Sequence, residues 1–272
     1  MLFVVDPIKF LMFFVKIPNA IISLIIAIKI KRLSNYILNY LFFLAFTGWS
    51  VFIAADGILF VIAPNGEFLF YLANLLRDLG IVMIGLVPLC FVQAGWTIKE
   101  GQEIALKKKR KRLIASFIFN FSIIIGAFLF DSINIYNIST SGEKTIIPPS
   151  DLPPTGSFAV GFDSSSLQGI IGILFYLSFV VWYFYGVNLM FSVQKRESGI
   201  GKKRTRRMMS GILLIPIGIL YFTFLPFLGL PQELKPYFLI LGQVIWALSP
   251  ILVYLGLYLQ PKEKEMQISN IS

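Results

Sequence analysis

The chain has 272 residues, 57% of them hydrophobic and only 14% charged; soluble domains carry about a quarter charged residues, so this is a membrane composition. The formal net charge is +10, with no histidine and one cysteine, Cys90. These absences exclude an intrachain disulfide, histidine-held haem, zinc sites of the usual His/Cys type, Ser-His-Asp or Cys-His catalysis, and histidine-based pH sensing. Cys90 lies in an apolar run and reads as a small packed hydrophobe.

Apolar runs of about 18 residues or more predict an all-α integral membrane protein, a single bundle of seven helices near 9–30, 36–62, 68–95, 113–136, 167–193, 208–229 and 236–260. The first run is broken by Lys9, Lys16, Pro18 and Asn19, so six spans plus an interfacial segment is the alternative count. No basic stretch precedes it, unlike a secretory signal. Span two carries Asp56 within "AADGILFVIA" (54–63), and span three carries Asn74, Arg77 and Asp78 within "YLANLLRDLG" (71–80). Between spans four and five lies the longest predicted outer loop, 138–166, rich in Pro, Gly and Ser, where "TGSFAVGFD" suggests a small hairpin. Asn137-Ile138-Ser139 forms a glycosylation sequon, a triplet that also arises by chance. Spans six and seven contain Pro216, Pro226 and Pro250, expected to kink them. A short tail, 261–272, follows.

Lysine and arginine set the direction. Nineteen of the 24 basic residues fall after spans one, three, five and seven, including "KKKRKR" (107–112) and "KKRTRR" (202–207), whereas the alternate loops hold only Lys144 and Lys235. The positive-inside rule then puts the N-terminus outside and the C-terminus in the cytoplasm, as expected of a multi-pass protein of the cell membrane. The same basic runs suit anionic lipid headgroups, and secondarily a cytoplasmic partner; nucleic acid is not expected.

At a rise of about 1.5 Å per residue, Arg77 and Asp78 lie about 14–15 Å below the outer edge, and Lys16, Asp56 and Gln243 about 10–11 Å. Asn74 precedes Arg77 by three positions and Asp78 by four, so the three share one side of their helix. A charge at a helix centre costs roughly 2.5–3.5 kcal/mol on the insertion scale, so this side is expected to face the bundle. There Lys16, Asp56 and Gln243 are the candidate partners. Lys16, Asp56, Asn74, Arg77, Asp78 and Gln243 thus form either a structural ion-pair network or a ligand site open to the outside. The inner half holds neutral polar residues only, among them Asn39, Gln93, Asn120 and Asn188.

The outline is that of a receptor or sensor, but the motifs that would say more are missing. No lysine lies in the middle of span seven for a retinal Schiff base, and no other cofactor is indicated. Where receptors coupled to G proteins carry D-R-Y and N-P-x-x-Y, this chain reads "GWTIKEG" and "LSPILVY". A sensor of a small external ligand is therefore the leading reading. A transporter or channel, or an accessory membrane subunit, is the alternative, and an enzyme is not expected. The orientation has a direct test. A cysteine placed within 139–166 should react with an impermeant maleimide on intact cells, and a C-terminal tag should be reached only after permeabilisation; the reverse pattern would sink the assignment.

Overall fold

The first helix sets the pattern for the rest. In the computed structural model, which describes residues 7–108, 111–112, 114–116, 118–119, 133–138, 143–152, 158–162, 167–231 and 233–258, α1 runs Pro7–Leu33 unbroken through Lys16, Pro18 and Asn19. Apolar side chains on both flanks of these residues keep the backbone bonded to itself, the one arrangement that hydrocarbon tolerates. Then follow α2 (Ile37–Ile62), α3 (Glu67–Glu100) and a short α4 (Gln102–Lys107). After the strands come α5 (Leu167–Gln194), α6 (Gly199–Phe224) and α7 (Lys235–Tyr258). Gly101, with φ of 83°, takes a positive-φ backbone that favours glycine, where α3 ends and α4 starts.

Five of these helices (α1, α2, α3, α6 and α7) are long and apolar enough to cross a bilayer. Their outward faces carry half-exposed Phe14, Ile21, Leu75, Leu220 and Leu248 rather than polar side chains. The protein is a multi-pass membrane protein.

The long helices pack in the order α1, α2, α3, α5, α6 and α7, and α7 returns to α1 to close a ring. Aromatic side chains fill its middle: Phe42 and Phe91 lie 5.7 Å apart, Phe91 and Tyr183 5.5 Å, and Trp49 meets Trp246 edge-on at 5.1 Å. Lipid tails are as apolar as these rings, so the helices associate through close packing and hydrogen bonds rather than by escaping water. The α6–α7 contact shows this. A Cβ on Gly218 would stand 2.2 Å from Trp246 Nε1, and that indole donates to the Ile215 carbonyl at 3.2 Å.

Two expectations from the sequence are corrected. Residues 133–136, read as the end of span four, are part of a strand, β1 (Ile133–Ile138). The stretch "INIYNI" alternates apolar and polar residues, a period of two that a search for apolar runs overlooks. It pairs antiparallel with β2 (Lys144–Ile147) on one side and β3 (Phe158–Phe162) on the other, giving the sheet order β2-β1-β3. "TGSFAVGFD" therefore supplies one strand, paired to β1 with Ile135 opposite Val160, instead of folding on itself. Ile133 and Ile135 are fully buried against Leu59, Phe60, Phe70 and Ala73, so the sheet caps the end of α2 and α3. This small sheet is an addition to an otherwise helical fold.

The second correction concerns α6, which begins at Gly199, nine residues before the predicted span. The run 202–207 is helical, with Lys202, Lys203, Arg206 and Arg207 exposed on one face. Lysine and arginine are good helix formers, and hydropathy marks only the apolar part of a helix that continues beyond it. Of the three prolines expected to act as kinks, Pro216 and Pro250 lie inside their helices, while Pro226 sits in the 3-10 turn that follows α6.

Most of span four, and the tail 261–272, lie outside the described residues, but the flanks of that span are placed. Arg112 donates to both Glu100 carboxylate oxygens at 2.7 Å and stacks over Trp96 at one end of α3. Ile133 N donates to Asn74 Oδ1 at 2.9 Å near the other end. Asn74 and Glu100 are 26 positions apart on α3, or about 39 Å. The bundle thus has a sheet end and a basic end. Replacing Gly218 with alanine is expected to lower stability by about 1–3 kcal/mol, because the added methyl must displace the Trp246 indole. An unchanged thermal unfolding midpoint in detergent would refute the close contact.

Candidate functional site

Where α1 crosses α2, Lys16 lies directly over Gly57. A Cβ on Gly57 would come within 3.2 Å of Lys16 Cβ, so glycine permits an approach that any larger residue would crowd. The close crossing lets Lys16 Nζ form an ion pair with Asp56 on the neighbouring position of α2. Neither group is sealed in, since the Lys16 side chain is 13% exposed and that of Asp56 25%.

One turn further along α1, Asn19 repeats the tie to a different helix. Its Nδ2 donates at 3.1 Å to both the backbone carbonyl and Oε1 of Gln243 on α7. Ser50 of α2 donates to the Ala20 carbonyl at 2.7 Å. Consecutive turns of α1 are therefore held by polar bonds to α2 and α7, which suits a helix with little apolar burial of its own.

These ties border a cleft of about 300 Å³ between α1, α2, α6 and α7. Its polar lining consists of Lys9, Lys16, Asp56 and Gln243. Its aromatic walls are Phe52, Phe60, Phe222 and Trp246. Lys9 and Lys16 both sit over the Phe60 ring, at 4.1 and 5.6 Å from its centre. Phe222 and Trp246 are themselves packed together, 4.6 Å between centres, which joins the cleft wall to the α6–α7 contact.

The six residues singled out in the sequence divide into two groups. Lys16, Asp56 and Gln243 come together at the cleft. Asn74, Arg77 and Asp78 do not line it. Arg77 is buried and bonds to its neighbour Asp78 through Nε, at 3.1 Å, and through a terminal nitrogen. Asn74 receives the first amide of β1 and donates back to the Phe70 carbonyl at 3.3 Å. This side of α3 is turned away from the exposed Leu75 and Leu79. Asn74 ties this side of the helix to the sheet.

Asn19, a polar break in the apolar run of span one, belongs with the Lys16 and Gln243 group as well. The signal was present: Asn19 lies three positions after Lys16, the same spacing that grouped Asn74 with Arg77. Trp246 packs against Trp49 and Phe222, and it also faces the cleft.

Chemically, the cleft offers an ammonium, a carboxylate, an amide and aromatic faces. Among the described residues no group of His, Cys, Asp or Glu could hold a metal ion, and Cys90 is buried away from the cleft. The arrangement is suited to recognition. No protein-family model matches the chain, and no curated protein matches it either.

The ion pair can be tested by a double-mutant cycle. Lys16→Gln and Asp56→Asn should each destabilise the purified protein by about 1.5–3 kcal/mol, because each strands a partner charge away from bulk water. The combined variant should recover much of the loss. Strictly additive effects would show that the two side chains do not interact.

Proposed function

We propose that this is a receptor-like seven-helix protein of the cell membrane, N-terminus outside and C-terminus cytoplasmic, that binds a small ligand from the outside in the cleft between α1, α2, α6 and α7. The observation that carries the reading is that the Lys16–Asp56 pair borders a cleft instead of being enclosed by packing. Charged groups held within a membrane bundle serve structure or function, and only the second needs access.

The seven-span count is supported by the placement of Arg112 and Ile133 near opposite ends of α3. The orientation is supported by the segregation of the basic residues. Lys31, Arg32, Lys107, Lys111 and the exposed face of α6 gather at the end away from the sheet, where anionic headgroups would hold them. The cleft lies towards the sheet end, and hence outside.

A signal has a short mechanical route. Phe222 and Trp246 line the cleft on α6 and α7, two helices locked together at Gly218. The first turns of α6 carry the exposed Lys202, Lys203, Arg206 and Arg207. A ligand that moves Phe222 would shift a rigid pair of helices whose far end presents a basic face to a cytoplasmic partner. Transport is the second reading. It is favoured by Ser23 and Ser249, two fully buried residues with unpartnered hydroxyls further towards the basic end.

Leu239 lines the cleft on α7. A Leu239→Cys variant is expected to react with an impermeant maleimide applied to intact cells, and absence of labelling would overturn the outward-facing cleft. Solute uptake into proteoliposomes that Asp56→Asn abolishes would replace the receptor reading with the transport one.

A further inference from the structure

The charges of the cleft also restrict what can enter it. We infer, on the reading of the cleft as a ligand site, that its ligand is a small zwitterion of amino-acid size. Its anionic group replaces Asp56 on Lys16, its ammonium replaces Lys16 on Asp56, and its apolar part lies against Phe52, Phe222 and Trp246.

Lys16 and Asp56 satisfy one another at the edge of the cleft. A ligand that reaches either group must part them. A simple cation would pair with Asp56 and leave the Lys16 ammonium stranded in a low dielectric, and a simple anion would strand the carboxylate. Either outcome forfeits the interaction energy of one charge. A zwitterion answers both and leaves no charge uncompensated. A molecule carrying both signs can therefore part the pair without loss.

The surroundings agree with this assignment. Gln243 uses Oε1 to accept from Asn19, which leaves its Nε2 hydrogens as the donors it can offer to the ligand's anionic group. Lys9, also lining the cleft from α1, places a second ammonium on the side of Lys16, so the anionic end is directed to α1 and the ammonium to α2. There Phe52 presents an aromatic face on which a cationic group is stabilised. A volume of about 300 Å³ is at the small end of ligand sites.

The test is a titration of the full chain in nanodiscs, followed by tryptophan fluorescence or calorimetry. The probes are leucine and phenylalanine, the matched amines lacking the carboxylate (isopentylamine, phenethylamine), and the matched acids lacking the ammonium (4-methylpentanoate, 3-phenylpropanoate). At least one amino acid is expected to bind, with its one-charge analogues weaker by roughly 30-fold or more. Lys16→Gln and Asp56→Asn should each weaken the amino acid to a similar extent. The neutral double variant Lys16→Met/Asp56→Asn removes both charges together and keeps the measurement possible if a single variant fails to fold; it should no longer prefer the zwitterion. Repeating the titration with phosphatidylethanolamine in the disc separates two sources of the same chemistry: competition assigns the site to a lipid headgroup, and indifference to a soluble molecule. One-charge analogues that bind as tightly as the amino acid would overturn the inference while leaving a ligand cleft in place. No binding of any probe up to about 10 mM would also overturn it, and the Leu239→Cys labelling then decides separately whether the cleft reading stands.

Discussion

A charge within a membrane bundle has to be answered by another part of the protein, and the Lys16–Asp56 pair shows how far that requirement shapes this fold. Helix α1 has a largely exposed apolar surface and would gain little by leaving lipid for the bundle. Its attachment comes from polar bonds on consecutive turns: Lys16 to Asp56, Asn19 to Gln243, and the Ala20 carbonyl to Ser50. Of these, the Asn19–Gln243 bonds tie α1 to α7, where the ring closes. The set as a whole places an ion pair at the edge of a cleft, so the fastening of the helix and the chemistry of the site are one feature.

The rest of the ring is held differently. Between α2, α3 and α5 the contacts are aromatic, with Phe42 tilted against Phe91 and Phe91 edge-on to Tyr183 across the interior. Between α6 and α7 a glycine admits a tryptophan, and Gly242 likewise admits the Phe222 ring, because a Cβ there would fall only 2.4 Å from Phe222 Cζ. Dispersion and fit do the work that water does in a soluble core. This contrast has a functional consequence. The α6–α7 pair is tightly interlocked, whereas α1 is held by a few polar bonds, so the two walls of the cleft differ in how readily they move.

Much of the architecture was legible beforehand. Long apolar runs mark α1, α2, α3, α5 and α7 to within a few residues, because hydrocarbon allows little besides a helix. The same logic failed at "INIYNI", where alternation and not apolar content carried the information, and at the start of α6, where basic residues continue a helix that hydropathy treats as loop. The charged residues were visible too, but not which of them line the cleft. Depth along each helix can be read from residue counts, so Arg77 and Asp56 seemed near neighbours. They are separated by rotation around α2: Ala55 and Phe52 face Gly80 of α3, whereas the next positions, Asp56 and Gly57, face Lys16 of α1.

By itself the sequence determined that the chain enters a membrane, which segments are apolar enough to cross it, and that a few charges lie deep within them. These follow from the free energy of each residue in hydrocarbon, a local quantity that needs no knowledge of neighbours. Only the tertiary structure decided which charges meet. Lys16 is 40 positions from Asp56, and Asn19 is 224 from Gln243. Their pairing depends on the order of helices around the ring and on the close approach that Gly57 permits, and neither is written in the composition of any single span.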